Sequence, residues 1–129
     1  MKKSIRTASG ARALRAGANS EMTEEAFGLI AARFRALAEP MRLRILHSLG
    51  EDEMSVGELV EATQAGQANV SKHLTVLLDA HLVARRKEGL NVFYRVADET
   101  VFDLCDAVCR SVGERLAVQH TAVKRFAGR

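Results

Sequence analysis

Two cysteines, a single proline and no apolar run near the roughly 20 residues of a membrane-spanning helix set the first bounds on this chain of 129 residues. The N-terminus lacks the apolar core of a secretory signal. Together with the scarcity of cysteine this points to a reducing cytoplasm and to no membrane partner. There is no nucleophile–base arrangement, no glycine-rich phosphate loop and no paired metal-ligand motif, so nothing in the sequence supports an enzyme. What is present suits one soluble domain with a single core: 47% of residues are hydrophobic and 27% charged. The net charge of +3 is modest, so where the charge sits matters more than its size.

Residues 1–20 carry Lys2, Lys3, Arg6, Arg12 and Arg15 with no acid and little to bury. Such a segment cannot offset its ordering entropy and is expected to be a disordered tail. A basic arm along phosphates and a transit peptide share this composition. Order is expected from residue 21 to about residue 120, with a polar, basic tail over 121–129. Thr23 offers an N-cap hydroxyl, and Phe27, Ile30, Ala31, Phe34, Leu37 and Ala38 follow at helical spacing. Pro40 ends that helix and suits the first turn of a second one, with Leu43, Ile45, Leu46 and Leu49 apolar. Arg42 and Arg44 fall on or near its exposed side, and Gly50 with Glu51, Asp52 and Glu53 stops it. Ser55-Val56-Gly57-Glu58 is a capping box opening a third helix, with Val56, Leu59 and Val60 inward. A turn over residues 63–66 leads into GQANVSKHLTVLL, Gly66 to Leu78. Two short helices joined by a glycine-containing turn form a helix-turn-helix.

In that last helix Val70, Leu74, Leu77 and Leu78 fall on one side, wide enough to dock on a core. The other side carries Ala68, Asn69, Lys72, Thr75 and Val76, with Ser71 and His73 on its flanks and no acid before Asp79. A low, acid-free face bearing hydrogen-bond donors fits a DNA major groove. A surface helix that happens to lack glutamate has the same pattern. Beyond Asp79 the period changes from 3.6 to 2. Leu82–Lys87 and Val92–Val96 read as two strands around the turn Glu88-Gly89-Leu90-Asn91. Arg85, Arg86, Lys87 and Arg95 make this hairpin basic, either to meet phosphates or to keep an exposed hairpin soluble. Asp98 caps a closing helix whose stripe runs through Val101, Phe102, Cys105, Val108, Cys109, Val112 and Leu116 and continues to about His120.

The order of elements and three stretches resemble the ArsR/SmtB family of winged-helix repressors: LAEPMRLRILHSL (Leu37–Leu49), SVGELVEATQAGQANVSKHLTVLLDAHLV (Ser55–Val83) and RRKEGLNVFYRV (Arg85–Val96). The resemblance covers about residues 27–116. It implies a mainly α fold with a small β-hairpin, a homodimer formed through the first and last helices, and a repressor that binds an inverted repeat in double-stranded DNA until an inducer releases it. Its groove-contacting positions fall on Gln67, Asn69, Ser71, Lys72 and His73, to which the acid-free face adds Thr75; its wing positions fall on Arg85, Arg86, Lys87, Asn91 and Arg95. Three departures stand out. His81 occupies a left-handed cap position that is often glycine in the family, at some strain. The family's Cys-Val-Cys thiol site maps onto Ser55-Val56-Gly57, so both sulfurs are gone. The family's Asp/His zinc sites on the last helix are not reproduced, since only Asp103, Asp106 and His120 lie there.

Cys105 and Cys109 are four residues apart and share one face of the closing helix. Three roles fit them. As thiolates they suit a soft metal or metalloid ion, with the remaining ligands from a partner chain, Asp106 or His120. As reactive thiols they suit oxidation or persulfidation without a metal. As small apolar residues they simply fill the core. His47 reads as packing. The expectation is a cytoplasmic, dimeric DNA-binding repressor. A winged-helix module for protein contacts and a repressor without cysteine chemistry, controlled by a small apolar ligand at the dimer interface or by abundance alone, are its alternatives.

Overall fold

The computed structural model describes residues 21–116. The basic N-terminal segment, the tail over 121–129 and the continuation of the last helix to His120 lie outside the described residues. The chain divides into two compact units, residues 1–33 and residues 34–129. The first contributes, among the described residues, the opening turns of α1 (Glu24–Leu37); the second carries everything else.

Local chemistry sets the ends of the helices. The Thr23 hydroxyl accepts from the Ala26 amide at 3.0 Å, and Glu24 and Glu25 lie at the positive end of α1. Pro40 forces Glu39 into extended backbone (φ −150°) and supplies the first residue of α2 (Pro40–Leu49). Glu39 caps α2, accepting from Met41 N at 2.7 Å and Arg42 N at 3.3 Å. Gly50, at φ +52°, closes α2 by donating to the Leu46 carbonyl. After β1 (Met54–Ser55), α3 (Val56–Thr63) opens with both bonds of the expected capping box, Glu58 N to Ser55 Oγ at 3.1 Å and Ser55 N to Glu58 Oε1 at 2.8 Å. Gln64 turns the chain in the left-handed region (φ 60°), and α4 (Gln67–Asp79) follows.

β2 (Val83–Glu88) and β3 (Asn91–Val96) pair antiparallel from Val83↔Val96 to Glu88↔Asn91, leaving Gly89 and Leu90 at the tip. The sheet has a third strand that periodicity does not predict. β1 pairs with β3 through Met54↔Tyr94 and Ser55↔Phe93, and two residues are too few to show an alternating pattern. The expected lone hairpin is therefore the outer part of a three-stranded sheet in the order β1-β3-β2. Asp98 caps α5 (Thr100–Leu116) by accepting from the Thr100 amide. The molecule is a winged helix-turn-helix, mainly helical with a small antiparallel sheet.

The core lies in the second unit. Ile45, Leu46 and Leu49 of α2, Leu59 of α3, and Val70, Leu74 and Leu77 of α4 are essentially removed from solvent. Leu82, Tyr94, Val101 and Phe102 close it from the sheet and α5. Each fully buried aliphatic side chain contributes about 1.5–3 kcal/mol, so three such residues of α4 hold that helix against α2 and α3.

His81 sits at φ +61°, as the glycine-like position predicts, and its side chain is exposed. A β-carbon in the left-handed region costs roughly 1–2 kcal/mol, only part of which is returned by the lower entropy of an unfolded chain without glycine. His81→Gly is expected to stabilise the protein by about 0.5–1 kcal/mol, read as a higher urea midpoint at unchanged slope. A lower midpoint would show that the imidazole makes a stabilising contact.

Candidate nucleic-acid interface

With Val70, Leu74 and Leu77 turned inward, α4 presents Gln67, Ala68, Asn69, Ser71, Lys72 and Thr75 to solvent. Gly66 has no side chain to cap the helix, which leaves the first amides of α4 open to an anion at its positive end. Thr75 donates its hydroxyl to the Ser71 carbonyl at 3.1 Å. It offers a methyl group and an oxygen acceptor more readily than a donor. Val76, expected on the outer side, is half-buried against the core.

His73 departs from its expected outward placement. Its side chain is only 6% exposed and lies between α4 and the start of α2. Nδ1 is 3.1 Å from Arg42 Nη1, and Nε2 is 3.8 Å from Glu39 Oε1. The ring turns inward because it sits one helical turn after Asn69 and directly before Leu74, at the edge of the buried stripe, where two charged groups receive it. Burial pushes the His73 pKa down; Lys72 and Arg42 push the same way, and Glu39 opposes them. The ring is thus neutral at pH 7. Glu39 is held below the usual carboxylate range: desolvation works against this, and the Met41 and Arg42 amides, His73 and the Arg42 guanidinium outweigh it.

Arg42 is also placed differently from expectation. It is half-buried, and its guanidinium donates to the Ala36 carbonyl at 2.7 Å (Nε) and to the Arg35 carbonyl at 3.3 Å (Nη2). Those carbonyls belong to the last turn of α1, where intrahelical donors run out; the Arg35 carbonyl also accepts from the Ala38 amide at 3.2 Å. Position 42 falls between apolar residues of α2, and one sequence feature hints at its role: an acid directly before Pro40 makes a capping carboxylate, which draws a cation toward it.

The sheet carries the second half of the surface. Arg85, Arg86, Lys87, Asn91 and Arg95 are all exposed. Strand alternation puts Arg86 and Arg95 on one face with Phe93, and Arg85 and Lys87 on the other. Arg86 is committed within the chain. Its Nε donates to both Glu53 carboxylate oxygens at 3.0 and 2.9 Å, its Nη1 meets Glu88 at 2.8 Å, and its Cζ lies 4.9 Å above the Phe93 ring. The Arg86 bond holds Glu53 below the usual carboxylate range, against a smaller effect of desolvation. Arg86 therefore braces the hairpin against the Glu51-Asp52-Glu53 turn, and Arg85, Lys87 and Arg95 are the cations turned outward. Glu53, in a run of acids that reads only as a helix stop, was the partner that local sequence did not reveal.

Cys105 and Cys109 lie on α5, and both line an apolar cavity of about 370 Å³. Phe34, Leu37 and Leu43 form its other wall, and Val108 and Val112 remain largely exposed at its edge. Burial pushes the Cys105 thiol up, with Asp106 and Cys109 adding to the effect. Among the described residues no group of three His, Cys, Asp or Glu side chains is placed to hold a metal ion. The thiol pair alone thus falls short of a tetrahedral site within one chain. No helix among the described residues is long and apolar enough to cross a membrane.

Comparison with known proteins agrees with this geometry. The family of bacterial regulatory proteins described as arsR matches residues 39–85, from the cap of α2 to the start of the wing. The HTH-type transcriptional regulator KmtR of Mycobacterium tuberculosis is 43% identical over 81 residues, 62% of this chain and 62% of KmtR. A transcriptional repressor SmtB homolog of Synechocystis is 39% identical over 71 residues, 55% of this chain and 54% of the homolog. The chain thus spans less than two thirds of the length of these two relatives. Coverage is fuller for the M. tuberculosis regulator Rv0081, 37% identical over 78% of this chain and 100% of the solved chain, with a TM-score of 0.63. A homodimeric winged helix-turn-helix DNA-binding domain from Mycobacterium bovis, solved by NMR, has a TM-score of 0.68 at 31% identity, over 80% of this chain and 95% of that one. With the helix-turn-helix, the basic wing and two solved relatives of 31–37% identity aligned over nearly their whole length, the chain belongs to the ArsR family of bacterial transcriptional regulators.

Proposed function

We propose that the chain is a dimeric, sequence-specific DNA-binding repressor whose α4 enters the major groove while the wing holds the flanking backbone. The observation that carries this is the exposed, acid-free run Gln67, Asn69, Ser71 and Lys72 on a helix anchored by its other side, next to a hairpin whose outward cations are Arg85, Lys87 and Arg95. Amide and hydroxyl side chains read base edges, and the cations, with Asn91 near the tip, meet phosphates or a narrow minor groove. His73 takes no direct part in this reading because its ring is enclosed, and Arg86 acts on the wing's shape. A two-fold dimer presents two such helices to half-sites about one helical turn, roughly 34–36 Å, apart.

The apolar wall formed by Phe34, Leu37 and α5 is the surface a second copy would cover, with Val108 at 53% and Val112 at 44% exposed in the single chain. Cys105 and Cys109 then lie beside that joint. A soft metal or metalloid ion would draw its further donors from the second copy, and a thiol-reactive species would need no further donor. In either case release from DNA requires tighter binding of the effector to the DNA-incompetent state. Burial pushes the Cys105 thiol up and so weighs on both readings alike, because the thiolate is the metal ligand and the nucleophile.

Lys72→Glu is expected to abolish binding to the DNA segment preceding the chain's own coding sequence while leaving the circular dichroism spectrum and the urea midpoint intact. Normal binding by the folded variant would contradict the placement of the DNA face. Fluorescence anisotropy on the same DNA separates the effector readings. Release by zinc or arsenite that disappears in the Cys105→Ser/Cys109→Ser protein identifies a soft-ion site, and release that survives both substitutions removes the thiols from sensing. A response to a persulfide donor alone favours thiol chemistry without a metal.

A further inference from the structure

Arg42 and His73 join three elements that a DNA reader must hold in fixed relation. The Arg42 guanidinium donates to the Arg35 and Ala36 carbonyls at the end of α1 and to His73 Nδ1 in the middle of α4. A guanidinium has only donors, so Nδ1 must be the accepting nitrogen and the proton of the neutral ring sits on Nε2, which faces Glu39. Glu39 is held in place as the cap of α2 by two backbone amides. Arg42 and Glu39 leave the ring little freedom: one nitrogen is engaged by a cation, the other faces an anion, and only 6% of the residue meets solvent. Lys72, the neighbour of His73 on the same helix, points outward among the proposed base-reading residues.

We propose that Arg42 is a positioning residue for DNA reading: by bonding α1 carbonyls and His73 together it fixes the rotation of α4, and so the direction of Asn69, Ser71 and Lys72. The proposal rests on α4 being the helix that reads DNA. It gives His73 a place in recognition without contact to DNA. It also explains why a half-buried arginine stands where a hydrophobic residue would pack against the same core: the planar fork reaches three acceptors on two helices at once, which neither lysine nor an apolar side chain does. The last turn of α1 that Arg42 grips also contributes Leu37 to the cavity wall beside Cys105.

The test compares Arg42→Gln, His73→Ala, His73→Asn and the Arg42→Gln/His73→Ala double variant with the parent protein. Binding to the specific DNA and to unrelated DNA is measured across a salt series. A positioning role predicts that Arg42→Gln and His73→Ala each weaken specific binding on the order of tenfold while non-specific binding and the salt slope stay put. The double variant should lose little more than either single one, because the two act through one bond. His73→Asn, which returns an acceptor oxygen near the place of Nδ1, should recover most of the loss. Imidazole ¹⁵N shifts of the free protein give a readout independent of DNA: the parent should show the Nε2–H form, and Arg42→Gln a mixture of forms. A reduced salt slope in Arg42→Gln would instead make Arg42 a phosphate contact, and additive losses would make the two residues independent; either overturns the proposal. If the parent binds no DNA but shows the Nε2–H ring, the DNA reading fails while the bond itself stands. Specific binding that survives Arg42→Gln fails the positioning role alone.

Discussion

The docking of α4 by Val70, Leu74 and Leu77 is the contact on which the rest of the molecule depends. These three residues are wholly or almost wholly buried, and they leave Gln67, Asn69, Ser71 and Lys72 of a thirteen-residue helix exposed. That division makes it possible for Gln67, Asn69, Ser71 and Lys72 to be chosen for what they can bind. The hydrophobic contribution is large but directionless, and apolar packing alone permits small rotations of a helix in its groove. Direction comes from polar groups, and the enclosed His73, bonded at Nδ1 by Arg42 and facing Glu39 through Nε2, is the one polar side chain of α4 buried in the core side.

The wing is built on the same plan. Its shape depends on a cation used internally: Arg86 bridges Glu53 and Glu88 and stacks on Phe93. β1 adds a third strand that fixes the inner end of β3, so the hairpin extends from a sheet rather than from a flexible loop. A basic cluster that looks uniform therefore splits into one brace and several outward cations. The distinction matters for affinity, since a cation already paired within the protein releases fewer counterions when DNA arrives.

Much of this was legible in the chain itself. Pro40, the Ser55–Glu58 capping box, the turn at Gln64–Gly66 and the change of period after Asp79 mark the elements because each acts through residues close in sequence. The glycine-like conformation at His81 was visible through the resemblance, since the family often has glycine at that position. What could not be seen depends on partners far along the chain. His73 sits at the edge of the apolar stripe, where a rotation of a few tens of degrees decides between outward and inward, and only Arg42 and Glu39, more than thirty residues away, settle it. Glu53 and Arg86 are 33 residues apart, and β1 is too short to leave a pattern. The cysteines were readable as a pair on one face, and the cavity they share with Phe34 and Leu37 gives that face a location.

The most direct measurement of the central claim is an amide chemical-shift map of the folded protein titrated with the DNA segment preceding its coding sequence. The account predicts the largest changes at Gln67–Lys72 and at Arg85–Lys87, Asn91 and Arg95, with α3 and the exposed side of α5 little affected. Changes concentrated on α5 and the Phe34 wall, with α4 silent, would contradict it and place the DNA on the face assigned here to the second copy.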